Sequence, residues 1–130
     1  MLKFKTMRVP EKYDDIAPDN SEIRLLPSMN RGGICHCTLP AGKTSLATKH
    51  KTVEEIWYFL EGQGELWRKQ DSNEETTKVN PGLSITIPTG TQFQFRSTSN
   101  DALCFICVTM PPWPGPEEAV KVQGTWEPSP

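Results

Sequence analysis

Most of this chain consists of short runs of apolar and polar residues punctuated by Gly and Pro. Leu83-Ser84-Ile85-Thr86-Ile87 alternates between a Pro81-Gly82 turn and Pro88, the period of a strand with one buried face. Thr91-Gln92-Phe93-Gln94-Phe95-Arg96 alternates too, as does Glu65-Leu66-Trp67-Arg68 after a Gly-Gln-Gly turn. Ile34 to Leu39 and Leu103 to Met110 are apolar runs of strand length. Ile56-Trp57-Tyr58-Phe59-Leu60 is apolar throughout, which predicts a strand buried on both faces. No helix-length stretch carries a 3.6-residue period, and Asp19 to Leu26 is predicted to make a turn of helix at most. Several short strands at close spacing predict an all-β sandwich or barrel.

A length of 130 residues matches one domain. Fourteen basic residues against 16 acidic leave a net charge of −2, so there is no basic field for a phosphate backbone and no nucleic-acid partner is expected. No apolar run is long enough for a bilayer, and no membrane partner is expected. Met1-Leu2-Lys3-Phe4-Lys5 leads into charged sequence without an apolar core, so a cytoplasmic chain with four reduced cysteines is the expectation. The chain divides into an N-terminal arm and edge strand (1–30), a barrel (31–110) and a tail (111–130). That tail holds half of the 12 prolines and is predicted to be extended rather than a ladder strand. Its Trp113 and Trp126 imply that it packs on the body, capping the barrel mouth, covering its edge or reaching a partner.

His50 and Glu55 are the pair of chemical groups close in sequence. An odd separation puts them on opposite faces of one continuous strand. They converge only if Lys51-Thr52-Val53-Glu54 turns the chain between two strands. The surrounding spacing resembles the cupin superfamily. Gly42, five residues, Thr48-Lys49-His50, four residues, Glu55, six residues and Gly62 follow its first motif. Gly82, five residues, Pro88-Thr89-Gly90, two residues, Phe93, three residues and Ser97 follow its second. The resemblance implies a double-stranded β-helix (jelly-roll) barrel and, from the habit of the family, a homodimer.

Cupins usually hold a divalent metal with three His and one Glu. Here Thr48 stands for the first His and Phe93 for the third, so His50 and Glu55 alone remain. With two of four ligands, no cofactor is expected, since a protein-held ion normally needs at least three. If a metal is bound, His50 and Glu55 with Gln92 or His36 are its candidate ligands. Without one, the two groups favour each other's charged forms, imidazolium and carboxylate, and can pass a proton to or from a small molecule.

Thr48, Trp57, Phe59, Gln92, Phe93, Gln94 and His36 are the candidate substrate-binding residues. Trp57, Phe59 and Phe93 offer an aromatic wall. Gln92 and Gln94 reach the pocket only if a bulge rotates their strand. His36 shares a face with Ile34 and Thr38 and serves the pocket only if that face is the interior. Cys35 and Cys37 share one face, whereas Cys104 and Cys107 point opposite ways, which reads as buried small hydrophobes rather than a zinc site.

Three functions follow: a metal-independent isomerase, epimerase or lyase with His50 as acid or base and Glu55 as its partner; a non-catalytic small-molecule binding or sensor protein; and a metal-dependent enzyme with an incomplete ligand set. Each takes a small-molecule ligand.

Overall fold

The computed structural model describes residues 2–130; Met1, the first residue of the predicted arm, lies outside the described residues. Eleven strands run in the order β1 (Asp15–Ile16), β2 (Glu22–Ser28), β3 (Gly33–Leu39), β4 (Thr48–His50), β5 (Glu54–Glu61), β6 (Gly64–Gln70), β7 (Asn73–Val79), β8 (Ser84–Ile87), β9 (Gln92–Ser97), β10 (Leu103–Met110) and β11 (Ala119–Lys121). They form two sheets, β1-β2-β3-β10-β5-β8 and β11-β4-β9-β6-β7, in which the paired strands are antiparallel. This is the predicted all-β jelly roll. One short 3-10 turn, Pro116–Glu118, breaks the tail. Among the described residues no helix is long and apolar enough to cross a membrane.

Period-two alternation puts one set of side chains between the sheets. Cys37 and Leu39 enter from β3, Trp57 and Phe59 from β5, Ile85 and Ile87 from β8, Phe93 and Phe95 from β9, and Leu103, Phe105 and Cys107 from β10. The Trp57 indole stacks on Phe105 with centroids 4.2 Å apart, and Phe93 and Phe95 meet it edge-on, arrangements that aromatic quadrupoles favour. Gly42, Gly62, Gly82 and Gly90 all hold positive φ, a backbone region open to glycine and strained for other residues. At Gly62 a Cβ would also run into the Ala102 carbonyl, so this motif glycine has two reasons to be there.

Three expectations need correction, and one strand was not expected. The run Ile56 to Leu60 is not buried on both faces: Ile56, Tyr58 and Leu60 are 44, 49 and 37% exposed. The outer face of this antiparallel sheet is left open at β5 by the described residues, so Glu55, Trp57 and Phe59 point inward and their neighbours face out. The segment Asp19 to Leu26, read as a turn of helix at most, instead leads into β2 at Glu22, whose register on β3 pairs Ile23 with Cys37 and Arg24 with His36; pairing with a formed strand overrides local propensity. The tail is extended but not free of ladder bonds, because the proline-free Ala119–Lys121 pairs with β4. Strand β7, Asn73–Val79, is almost entirely exposed at a sheet edge and carries no hydrophobic pattern by which to find it.

Candidate functional site

The chain turns at Lys51–Val53 between β4 of one sheet and β5 of the other, so the two strand ends meet across the barrel. His50 and Glu55 are each 6% exposed, and His50 Nδ1 lies 3.8 Å from Glu55 Oε2. The turn is held from outside by the tail. Glu118 accepts hydrogen bonds from the Thr52 and Val53 N–H groups and from the Thr52 hydroxyl, at 2.7–2.8 Å. Burial pushes the Glu118 pKa up, but these bonds outweigh burial and hold it low. The same segment lays Trp113 edge-on against the His50 ring at 5.1 Å, opposite Phe93 at 5.2 Å.

Burial decides the protonation of this pair. It pushes the His50 pKa down to about 4, opposed only by the Glu118 charge. It pushes the Glu55 pKa up to about 8, opposed by the Trp57 indole and the Cys107 thiol and reinforced by Asp19 and Cys35. The expected mutual stabilisation of imidazolium and carboxylate is therefore reversed. In this buried setting the desolvation of two charges exceeds their attraction, and at neutral pH the 3.8 Å contact joins a neutral imidazole to a protonated carboxyl group. Trp57 Nε1 donates to Glu55 Oε1 at 2.9 Å and fixes its rotamer. His50 Nδ1 and Thr48 Oγ1, buried on the same face of β4, have no hydrogen-bond partner. Such orphaned groups are rare in folded proteins.

The other candidates divide. Thr48, Trp57 and Phe93 surround the pair. Phe59 belongs to the core one inward position beyond Trp57, packed on Phe105. Gln92 and Gln94 do not enter the pocket: β9 keeps its register on β6 without a bulge, which sends Phe93 inward and both amides to the other face. There Gln94, fully buried, binds Ser45 and the tail residues Thr125 and Trp126. His36 also faces outward, flanked on the ladder by Arg24 and Ile106; its Nδ1 is buried without a partner, but on the far side of the sheet from Glu55. Glu118 is a site neighbour whose part was not legible in sequence, because its contacts depend on where the tail crosses the barrel; Trp113, one of the two tail indoles expected to pack on the body, lies against His50. Two surface clefts, of about 260 and 220 Å³, are lined by other residues: one at Arg68, Glu75 and Thr86, the other between Gln94 and the tail.

These features define a small single-barrel β protein with a buried imidazole and carboxyl group facing each other where β4 turns into β5. The cupin domain model matches residues 35–109, and the chain belongs to that family. It is 33% identical over 122 residues to the uncharacterized protein MJ1618 of Methanocaldococcus jannaschii, across 87% of this chain and 93% of that one. A double-stranded β-helix protein of Klebsiella pneumoniae superposes with a TM-score of 0.70 at 11% identity, covering 94% of this chain and all of that chain. KdgF from Halomonas superposes at 0.65 and 17% identity, covering 78% and 88%. A Thermotoga maritima protein described as a predicted oxalate decarboxylase superposes at 0.67 and 21%, covering 80% and 98%.

The family's usual divalent ion does not fit the residues present. Phe93 offers no donor and fills the third ligand's place with a ring packed on His50. The Thr48 hydroxyl is a poor ligand, and Gln92 and His36 face away. Among the described residues no three His, Cys, Asp or Glu side chains form a metal cage.

Proposed function

We propose that this cupin is a small-molecule enzyme of the isomerase, epimerase or lyase type, moving a proton with His50 as the base and Glu55 as the acid. The supporting observation is their state at neutral pH: an imidazole nitrogen without a partner sits 3.8 Å from a carboxyl group that burial keeps protonated. A pair in which one member can take a proton while the other still holds one suits a shift between neighbouring atoms of a substrate. Thr48 Oγ1 offers the ligand a further hydrogen bond, and Trp57 and Phe93 wall the site. The fold neighbours include a protein described as a predicted oxalate decarboxylase, which agrees with this reading at the level of the barrel. Entry past Trp113 requires the segment 111–116 to move.

Incubation with a panel of keto acids and keto sugars in D2O tests the proposal by NMR. Exchange of a substrate C–H for C–D, lost in His50→Ala and in Glu55→Gln while both variants stay folded, supports it. Unchanged exchange in His50→Ala overturns it. The edge-on packing of both Phe93 and Trp113 against the imidazole favours a second reading, a non-catalytic ligand-binding barrel. Thermal stabilisation by a panel member that shows no exchange selects that one. Near-stoichiometric metal in the purified protein would select a metal-dependent enzyme instead.

The partner of the barrel in this proposal is a second copy of the chain, joined through the exposed outer-face residues Ile56, Tyr58 and Leu60. Light scattering that returns the 14.6 kDa of one chain contradicts the dimer.

A further inference from the structure

We propose that Cys35 and Cys107 are a peroxide-responsive thiol pair inside the barrel, with Cys37 as the neighbour that holds the Cys35 sulfur ready for attack. Strand pairing brings together cysteines that sequence spacing keeps apart. Cys35 and Cys107 are direct partners on the β3–β10 ladder, and Cys37 follows Cys35 on the same inward face, its sulfur 3.7 Å away. Cys104 stands on the opposite face, near Thr38. All four cysteines are free thiols; Cys35 is only half-buried, while Cys37 and Cys107 are buried.

Geometry selects the bond that can form. Directly opposed residues on antiparallel strands have Cα atoms about 4.5–5.5 Å apart, inside the range of about 4.4–6.8 Å that a disulfide spans. Residues two apart on one strand are separated by about 6.6–6.8 Å, at the limit of that range. Cys35–Cys107 is therefore the bridge the backbone reaches with the smaller adjustment, a closing of the Cβ atoms from the usual cross-strand spacing of about 4.5–5.5 Å to the roughly 3.5–4.5 Å of a disulfide, and Cys35–Cys37 is disfavoured. Hydrogen bonds from Cys107 and Cys37 lower the Cys35 pKa against the effect of burial, and thiolate character is what makes a sulfur nucleophilic.

The co-reactant is a hydroperoxide. The Cys35 thiolate attacks one peroxide oxygen and the O–O bond breaks. The departing alkoxide, or hydroxide, takes up a proton and leaves as alcohol or water. The sulfur is oxidised by two electrons to the sulfenic acid, and the peroxide is reduced by two. The Cys107 sulfur then attacks the Cys35 sulfur. The S–O bond breaks, the hydroxide leaves with the Cys107 proton as water, and the S–S bond forms. The product joins β3 to β10 covalently, and thiol reductants restore the starting state. None of this depends on the reaction proposed for His50 and Glu55.

The test is treatment of the folded protein with hydrogen peroxide, followed by thiol counting and non-reducing peptide mapping. The expected result is loss of two of the four free thiols, a linked peptide pair joining Cys35 to Cys107, and reversal by dithiothreitol. In Cys107→Ala the sulfenic acid should accumulate on Cys35 and be trapped by dimedone; Cys104→Ala should behave as the parent. Four thiols surviving peroxide, a Cys35–Cys37 link, a link between chains, or oxidation starting at Cys104 would each overturn the proposal. If Cys107→Ala fails to fold, Cys107→Ser serves in its place, and the map of the parent protein decides by itself.

Discussion

Gln94 and His50 sit on paired strands of one sheet, both buried and both polar, yet their surroundings are opposite. Gln94 fills its hydrogen-bonding capacity: its amide donates to the Ser45 and Trp126 carbonyls at 2.9 Å, and its oxygen accepts from the Thr125 and Trp126 N–H groups at 3.0 and 2.9 Å. It is a clasp that fastens the tail to the barrel. His50 and its neighbour Thr48 have buried atoms with no partner at all, and an acid stands 3.8 Å away. The difference teaches that burial of a polar side chain does not mark a site. Unfilled capacity beside a group of complementary chemistry does. His36 also has an orphaned nitrogen, but it faces outward, where the Arg24 and Glu61 charges act on it with opposite signs.

The largest effect should come from Gln94. Replacing it with Ala removes four hydrogen bonds and strands buried backbone partners, so unfolding in urea should show a loss of about 4 kcal/mol, taking each bond as about 1. A loss below about 1 kcal/mol would break the contrast. Next comes the pH dependence of stability. A Glu55 pKa raised from 4.5 to about 8 means that the folded state holds a proton the unfolded chain releases, so stability present at low pH is lost as pH rises. A His50 pKa lowered from 6.5 to about 4 acts in the other direction, with stability lost as pH falls. The two slopes cancel between pH 4.5 and 6.5. Above that, the Glu55 contribution falls by roughly 2 kcal/mol up to pH 8, at about 1.4 per unit, while Cys35, its pKa lowered from 9.0 to about 4, contributes a slope of opposite sign. Glu55→Gln should therefore make stability rise more steeply with pH than in the parent, by about 1.4 kcal/mol per unit over this range, and an unchanged slope would refute the assignment. The smallest effect is that of Thr48→Val, which deletes a hydroxyl without a partner at nearly constant volume. Stability should change by less than about 1 kcal/mol; a larger loss would show that the hydroxyl is satisfied in solution.

Much of the barrel was legible because turns announce themselves. Gly42, Gly62, Gly82 and Gly90 mark positive-φ corners, and the alternation of residues 83–87 and 91–96 marked them as strands, although which face of 91–96 turns inward depended on a bulge that β9 does not have. The convergence of His50 and Glu55 was legible as well, since an intervening turn was the one way for an odd spacing to close. What sequence could not show were consequences of distant contacts. The protonation of the pair depends on how deeply it is buried, and Glu118 reaches the adjoining turn from the tail. Gln94 looked like a ligand-binding amide because its partners lie about thirty residues away. Cys107 was read apart from Cys35 because only the β3–β10 ladder joins them. The exposed face of β5 was missed because an apolar run does not reveal whether anything covers its second side.

The central claim is that both members of the pair are neutral at physiological pH. NMR titration of ¹⁵N-labelled His50 together with the ¹³C-labelled Glu55 carboxyl tests it directly. The account predicts that the imidazole stays neutral down to about pH 4 and that the carboxyl stays protonated up to about pH 8. A histidine titrating at or above 6.5 with a carboxylate already ionised near 4.5 would make the pair an ordinary salt bridge and contradict it.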